Sequence, residues 1–113
     1  MDGESRFEAW VEFHRANPAV FEAFVSFARQ ARAAGAVKIG ARMVGERIRW
    51  HSTVDARPTD GQYRFNDHLW PYYARLAMAL YPELEGAFER RDQRFDATDQ
   101  QILAAHAREV VGA

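Results

Sequence analysis

The sequence predicts a mainly α fold with a short β-hairpin: a winged helix-turn-helix-like single domain plus a C-terminal helix. Three observations lead there. Apolar residues recur at helical spacing through most of the chain, prolines and glycines stand where those runs should begin or end, and a stretch after Trp50 switches to β-branched and alternating residues around an Asp-Gly pair. At 113 residues the chain fits one domain. The expected division is a winged-helix-like body over residues 1–95 and a C-terminal helix over 96–113, dimerising or loosely attached.

The first helix is expected from Glu4 to Ala16, with Phe7, Trp10, Val11 and His14 at helical spacing. Asn17-Pro18 ends it and opens the second, Asn17 as N-cap and Pro18 in the first helical position. That second helix should reach Ala34, with Phe21, Phe24, Ala28 and Ala31 on one stripe and Gly35 closing it. A short connection to the next helix gives a helix-turn-helix arrangement. Ala31, Gly35 and Val44 suit its small, turn and buried positions, while Gln30 stands where an apolar residue is usual.

The third element, KIGARMVGERIRW from Lys38 to Trp50, carries two glycines and four basic residues. Glycine inside a helix costs about 1 kcal/mol relative to alanine, so each needs a reason. Counting 100° per residue from Ile39 places Met43, Val44, Ile48 and Trp50 on an apolar arc. Lys38, Arg42, Gly45 and Arg49 then form an outward stripe, in which Gly45 would let a partner's backbone come close. Arginine suits bidentate contact with phosphate or guanine edges. The competing reading is a solvated face, because Glu46 is spaced to pair with Arg42 and Arg49.

A hairpin is expected from Ser52 to Ala56 and from Gln62 to Asn66, turning through Arg57-Pro58-Thr59-Asp60-Gly61. Arg57 would lie near its tip and Arg64 on its outer face. Such a wing lies along the phosphate backbone or in the neighbouring minor groove, while the second helix of the pair addresses a groove. Asn66-Asp67 supplies caps for a helix through LWPYYARLAMALY, with Tyr73, Leu76, Ala77 and Leu80 inward. Pro82 stops it, Leu84 and Phe88 close the core, and Thr98 to Gln101 reads as a capping box that opens the last helix.

The order of these residues resembles a family of small, mostly uncharacterised bacteriophage and prophage proteins. The likeness runs from Phe7 to Arg91 and rests on His14, Asn17-Pro18, Ile48-Arg49-Trp50, Tyr63-Arg64-Phe65-Asn66, Tyr73-Ala74-Arg75-Leu76, Pro82, Phe88, Arg90 and Arg91. It implies a phage setting and a winged-helix-like shape, not an activity. Arg49, Trp50, Asn66, Tyr73 and Arg75 match its pattern, whereas Asn66-Asp67-His68 departs from the Asn-rich turn of its members.

Charge sharpens the functional expectation. Net charge is −3 over residues 1–28, +5 over 29–75 and −3 over 76–113. A basic centre between acidic ends points to a polyanion. The chain has no cysteine, so thiol chemistry is excluded. His14, His51, His68 and His106 lack metal-motif spacing, although His51 and His68 could approach each other at the ends of the hairpin. Neither a phosphate loop nor a nucleophile elbow is present, so no enzyme, cofactor or metal is expected. The acidic N-terminus is unlike a signal peptide and no apolar run is long enough to span a membrane, so a cytoplasmic protein is expected; the resemblance implies the cytoplasm of a bacterial host. The leading expectation is a duplex-DNA binder using Lys38, Arg42, Gly45, Arg49, Arg57 and Arg64, as a monomer or homodimer. The alternative is a module that binds a host protein, favoured by the near-zero net charge, and a third reading is a component of the phage particle.

Overall fold

The computed structural model describes residues 5–52, 66–90 and 95–112. Five helices are present among them: α1 (Arg6–Ala16), α2 (Pro18–Ala33), α3 (Ala41–Trp50), α4 (Trp70–Leu80) and α5 (Asp99–Gly112). Short 3-10 turns at Asp67–Leu69 and Pro82–Leu84 bracket α4.

Local chemistry sets the ends. Ser5 and Glu8 form a reciprocal capping box at the start of α1, each side chain accepting the other's backbone N–H at 3.1 Å. Pro18 occupies the first turn of α2, as the sequence suggests. Asn17 stands at the N-cap of α2, as expected, but its side chain makes no cap bond to that helix. Its side-chain amide donates to the Phe13 carbonyl at 3.0 Å, so it closes α1 instead. Gly35 has φ +104°, a left-handed conformation that ends α2 and lets the Ala36 N–H reach the Ala31 carbonyl at 3.0 Å. Thr98 and Gln101 form the expected capping box of α5, with bonds of 2.8 and 3.1 Å.

The winged-helix expectation is corrected. No strand occurs among the described residues; the isolated bridge there pairs Ile39 with Phe88. Of the expected strand ends, Ser52 continues the helical backbone beyond α3, and Asn66 caps the turn before α4 by accepting the His68 N–H at 3.0 Å. The rest of the expected hairpin, with Arg57 and Arg64, lies outside the described residues. The described architecture is all-helical.

α4 is the hub, buried from Tyr72 to Ala77 and packed against the other four helices. Around it lies an aromatic core in which Trp10, Phe24 and Tyr73 are fully buried and Trp70 and Phe88 nearly so. Trp10 meets Tyr73 edge-on at 5.6 Å, and Phe24 stacks on Phe88 at 5.4 Å. Each such side chain removed from water contributes roughly 2–3 kcal/mol, and favourable ring geometry adds about 1. Leu84 and Phe88 close this core, as their positions in the sequence suggest. α5, expected as a dimerising or loosely attached addition, lies along α1 and α4 and buries Ile102 and Ala105. No helix among the described residues is long and apolar enough to cross a membrane.

Candidate interaction surface on the third helix

α3 turns a different face inward from the one its apolar residues suggest. Val44, Gly45 and Ile48 are buried and Ala41 is half-buried, a set with the i, i+3, i+4, i+7 spacing of a packed helix face. The position of Gly45 in an outward basic stripe is therefore corrected. A Cβ built there would lie 2.1 Å from Cε2 of Trp70, whose indole fills the space. The glycine serves close approach, but the approaching group is the protein's own buried tryptophan.

Lys38 also leaves the stripe. It precedes α3, in the segment held by the Ile39–Phe88 bridge, and its ammonium donates to the Gly86 carbonyl at 2.9 Å. Arg42 and Arg49 do belong to α3, and both reach Asp67, at 3.6 and 3.7 Å. Arg49 is paired with Glu46 as well. Of the six residues proposed for DNA contact, the structure thus brings Arg42 and Arg49 together around one carboxylate. It sets Lys38 on a backbone carbonyl and buries Gly45, while Arg57 and Arg64 fall outside the described residues.

What α3 presents outward is Arg42, Met43, Glu46, Arg47 and Trp50. Met43 is 57% exposed and Trp50 60%, unusual for large apolar side chains in so aromatic a protein. Arg47, between Met43 and Trp50 in sequence, lies with its guanidinium 4.5 Å from the centre of the Phe27 ring. Val37, 73% exposed, precedes the helix. Sequence periodicity missed this surface because it assigned Met43 and Trp50 to the core. Phasing the helix on Val44 and Ile48 alone would have found it.

Below the start of α3 an open cavity of about 1260 Å³ is bordered by Lys38, Arg42, Asp67, Tyr72, Arg75 and Phe95. Its polar groups answer one another. Arg75, only 6% exposed, lies 3.8 Å over the Phe95 ring and 3.7 Å from Asp99. Arg75, which the resemblance singles out, is thus a buried arginine set against an aromatic ring and a carboxylate. Tyr72 donates to Asp96, which also accepts the Phe7 N–H at 2.9 Å. Burial first, and then that hydrogen bond to Asp96, push the Tyr72 phenol well above its ordinary range.

Three of the contacts that the histidines make are well defined. His51 lies edge-on to Phe27, while His68 supplies its N–H to Asn66. It is His14 and His106 that meet, Nε2 to Nδ1 at 3.0 Å. Among the described residues no group of three or more histidine or carboxylate side chains is placed to hold a metal. No protein-family model, curated protein or solved structure matches this chain.

Proposed function

We propose that this chain is a protein-binding module whose third helix docks an acidic, apolar-faced segment of another protein. The observation that carries the reading is the exposure of Trp50 and Met43 on the face that also holds Arg42 and Arg47. Tryptophan, methionine and arginine are the residues enriched at protein interfaces, and tryptophan and arginine dominate their energetics. Three arginines against Glu46 on α3 favour an acidic partner. The contacts of Arg42 and Arg49 with Asp67 are exposed pairs, worth about 0–1 kcal/mol, so a partner carboxylate replaces them at little cost. Following the resemblance to phage and prophage proteins, the partner would be a protein of the bacterial host. The proposal includes no catalytic step.

A displayed library of acidic amphipathic peptides, selected on the purified protein, tests this. Enriched peptides should combine Asp or Glu with apolar anchors one helical turn apart, and should lose at least about tenfold in affinity against a Met43→Ala, Trp50→Ala variant, the cost of about 1.4 kcal/mol at a hot spot. Absence of enrichment, or equal binding to the variant, would remove the proposal.

Duplex DNA is the second reading, supported by Arg42, whose side chain is 77% exposed beside α3's other arginines. Two or three phosphate contacts from this helix predict a log affinity falling against log salt with a slope of about −2 to −3. Binding that ignores salt, or that survives Arg42→Ala with Arg49→Ala, would reject it.

A further inference from the structure

The last helix is held to the body at two places. At its first turn the Asp99 carboxylate takes Arg90 at 2.8 Å and lies 3.7 Å from Arg75. Two turns later His106 meets His14, across 92 positions of chain. His14 is 3% exposed, and both its ring nitrogens are engaged: Nε2 with His106 at 3.0 Å and Nδ1 with the Tyr73 hydroxyl at 3.3 Å. Trp10 stacks on His14 at 5.1 Å, His106 stacks on it at 5.2 Å, and Phe21 meets both imidazoles edge-on.

The proton count of this row decides whether it holds. In the neutral pair a single hydrogen lies between the two facing nitrogens, one donating and the other accepting. One added proton is tolerated. His106 then donates to His14, whose own hydrogen moves to Nδ1 and points at the Tyr73 oxygen, which can accept it. A second proton puts hydrogens on both facing nitrogens, and the contact becomes a repulsion between two cations in an aromatic setting. The titratable groups that face His14 are Tyr73 from α4 and His106 from α5; α2 presents Phe21, and its own helix Trp10. Among these groups facing His14 in the described residues there is no carboxylate.

We propose that the His14–His106 pair is an acid-released latch that holds the C-terminal helix on the body of the protein. Burial, and then the charge on His106, hold His14 down at about 4, against 6.5 for an ordinary histidine. Release therefore begins as pH falls below that ordinary value and completes near the lower one. The Asp99 clamp, a carboxylate beside two guanidiniums, holds the first turn of α5 without a histidine. The middle of α5 lifts before its first turn does. What it uncovers is the aromatic wall of Trp10, Phe21 and Tyr73.

The natural chain has no cysteine, which makes paired spin labelling direct. Labels at Ser26→Cys and Ala104→Cys, both exposed positions, report α5 against α2. Labels at Ser26→Cys and Ala79→Cys report α4 against α2 within the body. Pulsed-EPR distances are read on the full chain from pH 7.5 to 4. The first distribution should broaden with a midpoint between about pH 4 and 6.5 while the second stays narrow. His106→Asn places a non-titrating oxygen near the Nδ1 position and should move the midpoint down by at least about one pH unit. If that variant does not dock α5 at pH 7.5, His14→Gln, which offers an amide donor toward His106, takes its place. A first distribution that stays narrow to pH 4, simultaneous broadening of both pairs, or an unchanged midpoint in the variant would each overturn the latch.

Discussion

Two polar clusters in this protein contrast in every respect that matters energetically. The row Tyr73–His14–His106 lies among aromatic rings, with His14 almost fully buried and held below its ordinary pKa. The cluster Arg42–Asp67–Arg49–Glu46 is charged and lies in water, its side chains 39–77% exposed. In the first, His14 and Tyr73 are left desolvated if they lose their partners, so the contact holds the fold and depends on proton count. In the second, water and salt replace any partner that is lost, so the contact is exchangeable and suits a surface that waits for another molecule.

The largest expected effect lies at the seat of the exposed cluster. Gly45→Ala forces a Cβ into the Trp70 indole, which is itself buried. A loss of about 3 kcal/mol or more is expected in urea unfolding, at the upper end for overpacking. A neutral substitution would mean that α3 is not packed on Trp70 as described.

Acid comes next and acts through the buried row. His14 has a lower pKa folded than unfolded, so between about 4 and 6.5 the unfolded chain binds more protons. The stability it contributes is present above pH 6.5 and is lost as pH falls to about 4, a decrease on the order of 2–3 kcal/mol at most. Unfolding free energies measured at pH 7 and pH 4.5 check the sign. Stability that rises on acidification would contradict the burial of a neutral His14.

A smaller effect separates hydrogen bonding from packing in the same row. Tyr73→Phe removes the hydroxyl 3.3 Å from His14 and should cost about 1 kcal/mol, insensitive to salt. A cost near zero would mean that this long contact contributes packing only. The smallest effect belongs to the exposed cluster. Asp67→Asn should change stability by less than about 0.5–1 kcal/mol, and any change should fade in high salt. The same substitution should tighten binding of an acidic ligand, because both arginines lose an internal competitor.

The contrast also separates what the sequence carries from what it does not. Helix ends were legible because caps act locally: Gly35 ends α2, and Thr98 with Gln101 opens α5. The inward positions of α4 were legible because Tyr73, Leu76 and Ala77 repeat with the helical period and are all apolar. The face of α3 was misread for a specific reason. Its phase was taken from Ile39, which lies outside the helix in the bridge to Phe88, and from Met43 and Trp50, which are apolar yet exposed. Phasing on Val44 and Ile48 turns Gly45 inward, but that Trp70 fills the space over it is a contact between distant positions that no local pattern carries. The histidine row was invisible too, since nothing local links positions 14 and 106.

One further consequence follows from how the α2–α3 connection is held. The Arg32 guanidinium bonds the carbonyls of Val37 at 2.6 Å and Glu85 at 3.0 Å, while the Ile39 N–H donates to Ala87 at 2.7 Å. The angle between the two helices is thus set by a stretch of chain about fifty positions downstream. During synthesis from the N-terminus, α2 and α3 can each coil as they emerge, but the turn between them stays without its outside support until residues 83–88 have left the ribosome. The pair is consequently not a portable cassette. A fragment ending before Pro82 would carry every residue of α3's outer face and lack the brace that aims it.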